Sequence, residues 1–249
     1  TLQVSRRFRA DSGIGRLAAA INAGDGEAAV GLVRAGDDPA VAGCLDAADP
    51  AARAVEAVVA AYRPLAREAD PEAALGRLEA VRLMTVTRVG PAGSERLNRR
   101  IAERLAELEG RDPQRRWYHG RPVIVVSNDY RAGLFNGDLG VCLADGAGRL
   151  RVWVRTAAGL RALLPSALPS HEAAYALTVH KSQGSELDEA HVLLPEADTP
   201  LLTRELLYTA VSRARERVTL YGPAAVLARG VQRRTRRESG LAERLQRPD

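Results

Sequence analysis

The stretch from Ala174 to Gly222 constrains the fold more than any other part of this chain. Tyr175, Ala176 and Leu177 form a run short and apolar enough for a buried strand. The polar turn HKSQGSE follows, where Gly184 lets the backbone bend. A second apolar run, His191 to Leu194, predicts another strand. Thr203 is placed to cap a helix with Leu206, Leu207, Ala210, Val211 and Ala214 on one stripe and Arg213 at its margin. Val218 to Tyr221 predicts a closing strand. An order of strand, turn, strand, helix, strand belongs to an α/β fold, with chemistry expected on the turn and at the helix end.

At these residues a resemblance becomes specific. TVHKSQGSELDEAHVLLP and LYTAVSRARE resemble the fifth and sixth motifs of superfamily-one DNA helicases. The wording HKSQGSE is similar to the 5′→3′ branch, and within it to the RecD family, the alpha subunits of exodeoxyribonuclease V. The resemblance implies a RecA-like parallel-sheet domain of the P-loop NTPase type, the second of two motor domains. It also implies roles. Arg213 matches the arginine finger that stabilises charge on the transferred phosphoryl group. Glu186 matches the residue that contacts the nucleotide sugar, with Gly184 and Gln183 beside it. Thr178 and His180 match positions that touch DNA, with Lys181 between the two groups; for His180 the alternative is an ordinary hydrogen-bonded surface histidine.

The chemistry of such a motor requires a phosphate loop, GxxxxGK[ST], and an acidic pair for Mg²⁺. The chain has neither, and its sole lysine, Lys181, follows His180 rather than glycine. ATP with Mg²⁺ is therefore expected to be held mainly by an upstream half. Because the chain begins at Thr1 rather than Met, a piece of a longer protein is expected.

Upstream, LQVSRRFRADSGIGRLAAAIN resembles the fourth helicase motif, in which Arg7 matches an arginine that reaches the γ-phosphate; without the resemblance Arg7 is a solvated residue beside a helix start. Residues 1–8 predict a short strand, and Asp11 or Ser12 a helix cap. Asn22 to Ala80 is Ala-rich and helical in pattern, punctuated by Pro50, Pro64 and Pro71. Arg82 to Arg88 predicts a strand, at whose end Thr87 and Arg88 either hold DNA phosphate or simply close the strand. Leu97, Ile101, Leu105 and Leu108 lie on one helical face.

From His119 to Pro165, short strands joined by NGD and DGAG turns predict a small antiparallel barrel. The family resemblance places a Src-homology-3-like β-barrel here. Leu150, Val152 and Val154 alternate with Arg151, Trp153 and Arg155. The second set is either a platform for single-stranded DNA or an indole capping the barrel. The basic run Arg229 to Arg237 reads as a solvated helix end or tail.

The expected organisation is a first RecA-like part over residues 1–112 with a helical insertion at 25–80, a β-barrel insertion at 113–173, and a second RecA-like part at 174–249 carrying the fifth and sixth motifs. Net charge is +5, which favours polyanionic partners. Cys44 and Cys142 show no metal or disulfide spacing, which fits a reducing cytoplasm. His119, His171 and His191 lack metal-like spacing. No apolar run is long enough to span a membrane. The expected partners are single-stranded DNA and the beta and gamma chains of a helicase–nuclease complex acting in double-strand break repair and recombination. Two other classes stay open: a DNA-binding or assembly module without ATPase role, and part of a stand-alone helicase.

Overall fold

The computed structural model describes residues 11–156 and 159–235. In chain order these form α1 (Gly13–Ala23), α2 (Gly26–Ala35), β1 (Val41–Leu45), α3 (Pro50–Tyr62), α4 (Pro71–Ala80), β2 (Val81–Thr85), α5 (Ser94–Leu108), β3 (Arg121–Val125), β4 (Leu139–Ala144), β5 (Leu150–Thr156), β6 (Gly159–Leu163), β7 (His171–Ala173), β8 (Ala176–Thr178), β9 (Leu187–Leu193), α6 (Arg204–Val211), β10 (Ala214–Gly222) and α7 (Ala224–Gln232). Short 3₁₀ turns cover Arg63–Ala66, Pro165–Ala167 and His180–Ser182.

The helices begin where the local chemistry dictates. Ser12, Asp25, Asp49 and Asp70 each accept a hydrogen bond from a first-turn amide. Pro50 and Pro71 stand at the first helical position, where the missing N–H costs nothing. Ser12, rather than Asp11, is the cap of α1.

Five strands form a parallel sheet in the order β1-β10-β9-β2-β8. Successive side chains point to opposite faces, and both faces are apolar. Met84, Val192 and Leu220 meet α1, α2, α6 and α7 on one side. Leu83, Leu193 and Tyr221 meet α3, α4 and α5 on the other. Within the stretch expected to be helical, β1 adds an edge strand paired with β10. Its sequence, Val-Ala-Gly-Cys-Leu, is poor in β-branched and aromatic residues, so the strand follows from pairing with β10 rather than from propensity. The strand expected over Arg82 to Arg88 ends early, at Thr85, because Thr85 Oγ1 donates to the Thr87 carbonyl and turns the chain.

Between α5 and β8 lies a second sheet, antiparallel, in the order β6-β5-β4-β3-β7. Asp145 builds the β4–β5 turn by accepting from the amides of Ala147 and Arg149. Among the described residues no ladder joins β6 to β7, so the expected barrel is, in strand pairing, an open five-stranded sheet. Val123, Cys142, Val152 and Val154 fill its inner face. The opposite face, with Val141, Leu143 and the flank of Trp153, packs onto the cluster formed by α3, α4 and α5. His119 fastens this junction. The Ala144 amide donates to Nδ1, so Nε2 carries the proton and donates to the Glu68 carbonyl.

Two buried polar residues tie the layers together. Arg82 is 2% exposed and donates to the carbonyls of Leu78 and Ala174 at 2.6 and 2.7 Å, joining the end of α4 to the entry of β8. Substituting Arg82→Met strands both carbonyls in the core and should cost about 2–4 kcal/mol in urea denaturation. His191, on β9, contacts the Tyr221 hydroxyl at 2.9 Å. Burial, and secondarily Arg217, push its pKa down from 6.5 to about 4. A histidine held neutral in the fold but free to protonate when unfolded supplies stability that is complete above pH 6.5. That stability should fall by about 1.4 kcal/mol per pH unit as pH drops from 6.5 to about 4. Replacing His191→Gln should flatten this slope in pH-dependent denaturation.

Candidate nucleotide and nucleic-acid site

The segment Val179 to Glu186 connects two ends of the parallel sheet. Thr178 closes β8 in register with Thr85, which also pairs with Leu193, the last residue of β9. The chain then returns to Leu187, which pairs with Ala214 at the start of β10. The segment therefore runs from the carboxyl end of the strands to their amino end. Val179 is anchored by its amide on the Thr85 carbonyl at 2.9 Å and by burial against the core. Ser182 is buried, with its hydroxyl on the Thr178 carbonyl. Gly184 adopts φ +88°, a left-handed conformation that L side chains rarely take.

At the carboxyl end several basic and polar residues converge. Thr178 Oγ1 accepts from the Lys181 amide. Lys181 Nζ lies 2.6 Å from Glu172 on β7, and Glu172 lies 3.9 Å from Arg88. Arg88 also pairs with Glu95 at 2.6 Å. Thr87 receives the Ser94 amide on its carbonyl at the start of α5. Thr87, Arg88, Thr178 and Lys181 are thus gathered in one place, and the adjacent His180 is exposed. No motif pointed to Glu172; it reaches this place only because β7 leads directly into β8.

At the amino end Arg213 follows the last turn of α6, past Val211 and the Ser212 cap. It is 9% exposed. Its Nε donates to the Thr209 carbonyl and its Nη1 to the Ser185 carbonyl, each at 3.2 Å. Its own carbonyl accepts the Leu187 amide at 2.9 Å. Arg213 therefore braces the turn that carries Glu186, here as a tucked residue rather than a projecting one. Glu186 lies 3.7 Å from Arg215, which sits within the LYTAVSRARE stretch but is not among its expected site residues. Gln183 is exposed. A cavity of about 350 Å³ adjoins this end, lined by Glu79, Arg82, Asp138, Arg155, Ser185 and Glu186 among others.

Arg7 lies outside the described residues. The expected stripe of Arg151, Trp153 and Arg155 does alternate with buried Val152 and Val154, with Trp153 against the helices and Arg155 at the exposed margin. Arg155 pairs with Glu72 at 2.7 Å and Glu79 at 3.3 Å on α4, and Trp153 packs on the helical cluster. Arg151 is half-buried. α4 thus covers the Trp153 side chain and engages Arg155 through surface ion pairs. Trp153→Ala should accordingly destabilise the fold by about 2 kcal/mol and leave oligo-dT affinity of the full-length protein unchanged, read by thermal melts and binding titrations side by side.

Among the described residues no group of three or more His, Cys, Asp and Glu is placed to hold a metal ion. Nor is any described helix long and apolar enough to cross a membrane.

The profile of the UvrD-like helicase C-terminal domain matches residues 173–221, the span that contains the Val179 to Glu186 segment and Arg213 but not Thr87, Arg88 or Glu172. The RecBCD enzyme subunit RecD of Mycobacterium tuberculosis is 43% identical, across 98% of this chain and 42% of that protein. The ATP-dependent RecD2 DNA helicase of Deinococcus radiodurans is 36% identical, across 69% of this chain and 24% of that protein. A solved structure of Pif1 helicase from Bacteroides with ADP-AlF3 and ssDNA overlaps 80% of this chain and 54% of that one at 17% identity and a TM-score of 0.42. The chain thus spans well under half the length of the curated RecD relatives it matches. At 33–43% identity to RecD subunits over 98% of its length, the chain belongs to the RecD family.

Proposed function

We propose that this chain is the second motor domain of an ATP-dependent 5′→3′ DNA helicase of the RecD type, working as a subunit of a helicase–nuclease complex in double-strand break repair and recombination. One observation carries the proposal: a single short segment, Val179 to Glu186, spans the sheet from the Thr178–Lys181 cluster to the Arg213 brace. A change at the nucleotide end has a direct covalent route to the strand-binding end.

ATP sits, in this proposal, against the amino end of the sheet, closed over by an upstream half that supplies the phosphate loop and the Mg²⁺ ligands. The donors on this side suit a polyanion. Arg213 is a planar guanidinium within one turn of Glu186, and the backbone at Gly184 leaves open space where a side chain would stand. Bound nucleotide supplies phosphoryl oxygens that gain negative charge during transfer. Arg213, released from the Ser185 carbonyl, stabilises that charge, and Arg7 assists as a second cation. Glu186 accepts from the nucleotide sugar, with Gln183 beside it. At the other end Thr178, His180, Lys181, Thr87 and Arg88 hold phosphates of single-stranded DNA. Lys181 and Arg88 then exchange Glu172 for the DNA backbone. The beta and gamma chains of the complex are the proposed protein partners. The similarity to RecD2 over 69% of the chain supports a second reading, a helicase acting alone; gel filtration of the full-length protein with candidate partners separates the two.

Three outcomes are expected. The 249-residue chain alone should not hydrolyse ATP with or without DNA; robust turnover by the pure chain, abolished by a substitution within it, would refute the division of labour. In the full-length protein, Arg213→Ala should lower kcat by about 10³ or more with little change in DNA affinity. Arg213→Lys should not rescue it, because a point charge does not replace the planar fork. Finally, Lys181→Ala should weaken single-strand binding and reduce the slope of log K against log salt by about 0.7, measured on oligo-dT.

A further inference from the structure

Aromatic residues are scarce in this chain: two Trp, six Tyr and two Phe. Among the described residues all of them are buried or half-buried except Tyr130 and Phe135. These two are 78% and 49% exposed, on the loop that joins β3 to β4. Their rings meet edge to face, with centroids 6.1 Å apart and planes at 78°. A single exposed apolar residue needs no explanation, but two large rings side by side form a patch, and such patches mark binding surfaces.

The loop that presents them is held in shape by its own hydrogen bonds. The amides of Asp129 and Leu134 each donate to the other's carbonyl, at 2.8 and 3.0 Å, closing a short hairpin. Asp129 Oδ1 accepts from the amides of Arg131 and Ala132, and Asp138 Oδ2 accepts from the Phe135 amide. Asn128 Oδ1 accepts from the Asn136 amide. Leu134 is fully buried and pins the hairpin to the inner face of the antiparallel sheet. A ligand lying against the rings therefore meets a preorganised surface, with little loop ordering to oppose binding. At the base of the loop Val126 and Leu139 pack on Ile124, Ala174 and Leu177. Leu177 is followed directly by Thr178, so the hairpin is rooted beside the Thr178–Lys181 cluster.

Charge indicates what covers the rings. Residues 113–173 hold eight Arg against four Asp and Glu, so they carry +4 of the chain's net +5. Arg131 lies between the two rings in sequence, and Arg161 on β6 donates from Nη1 to the Ala132 carbonyl. Neither guanidinium has an ion pair among the described residues. An apolar partner surface would cover these cations without a counter-charge, which is unfavourable. A single nucleic-acid strand brings both a π face for each ring and a phosphate for each cation. We propose that the β3–β4 hairpin is a stacking platform for single-stranded DNA, with a base against Tyr130 and Phe135 and the flanking phosphates on Arg131 and Arg161. The inference rests on reading the chain as part of a DNA helicase, and it adds a contact beyond the Thr178–Lys181 cluster.

The test uses the full-length protein and oligo-dT. Tyr130→Ala and Phe135→Ala combined should weaken binding by about tenfold. Because both side chains are exposed, Tm should stay unchanged, which separates a binding role from a structural one. The slope of log K against log salt should also stay unchanged, because stacking releases no counterion, whereas Arg131→Gln should lower it by about 0.7. Tyr130→Trp should retain the affinity, since an indole offers the same π face. Irradiation of oligo-dT carrying 5-iodouracil should crosslink to the peptide that holds Tyr130 and Phe135. Failure of the unsubstituted protein to bind oligo-dT would remove the helicase reading itself. Unchanged affinity in the double variant, or crosslinks confined to other peptides, would overturn this inference alone. So would a double variant that keeps its DNA affinity but no longer co-elutes with partner chains, which would make the hairpin a protein contact.

Discussion

A parallel sheet has two apolar faces and no polar one, and the need to cover both shapes the rest of this chain. Leu83 and Met84 are neighbours in sequence yet belong to different cores, one under α3, α4 and α5 and the other under α1, α2, α6 and α7. With both faces covered, the strand ends are where side chains and loops can gather around a ligand. Functional groups must therefore sit at one end or the other. The segment from Val179 to Glu186 reaches both. Such a crossing is stable only because Val179 and Ser182 are buried along the way and Gly184 accepts the left-handed turn.

The antiparallel sheet depends on the same covering. Its inner face closes on Val123, Val152 and Val154, and its outer face borrows the core under α4. Polar contacts then fix its placement: His119 on Glu68 and Ala144, Arg155 on Glu72 and Glu79, and Arg82 on Ala174. The exposed ion pairs among these are worth little individually. The buried bonds of Arg82 and of the Tyr118–Tyr175 hydroxyl pair matter more, because leaving any of those groups unsatisfied costs the full desolvation penalty.

This placement has an electrostatic consequence at the carboxyl end of the sheet. Glu172, the middle residue of β7, neutralises Lys181 and approaches Arg88. The two cations are thereby kept close and oriented. In the proposed reading, incoming phosphates compete with Glu172 for both cations and with Glu95 for Arg88. Through Glu172 the last strand of the antiparallel sheet and the carboxyl end of the parallel sheet form one electrostatic unit.

Local chemistry legible in the sequence includes Thr203 capping α6, the proline-led starts of α3 and α4, the alternation along β5, and the turn at Gly184. These depend on a few neighbouring residues, and periodicity or turn chemistry is enough to see them. The grouping of Thr178, Lys181 and Glu186 on one segment was equally visible, because they are close in sequence. Long-range pairing decided the rest. The strand β1 exists because β10 offers it an edge, not because Val-Ala-Gly-Cys-Leu favours extension. Trp153 looks outward on its own sheet and is covered by the helical layer, while Arg155 beside it meets α4 only through exposed ion pairs. Glu172 carries no motif and Arg215 was unmarked within one, and their partners are brought near only when the strands align. A periodic pattern tells which side of an element is apolar; what that side meets is decided by elements distant in the chain, and only tertiary packing brings them together.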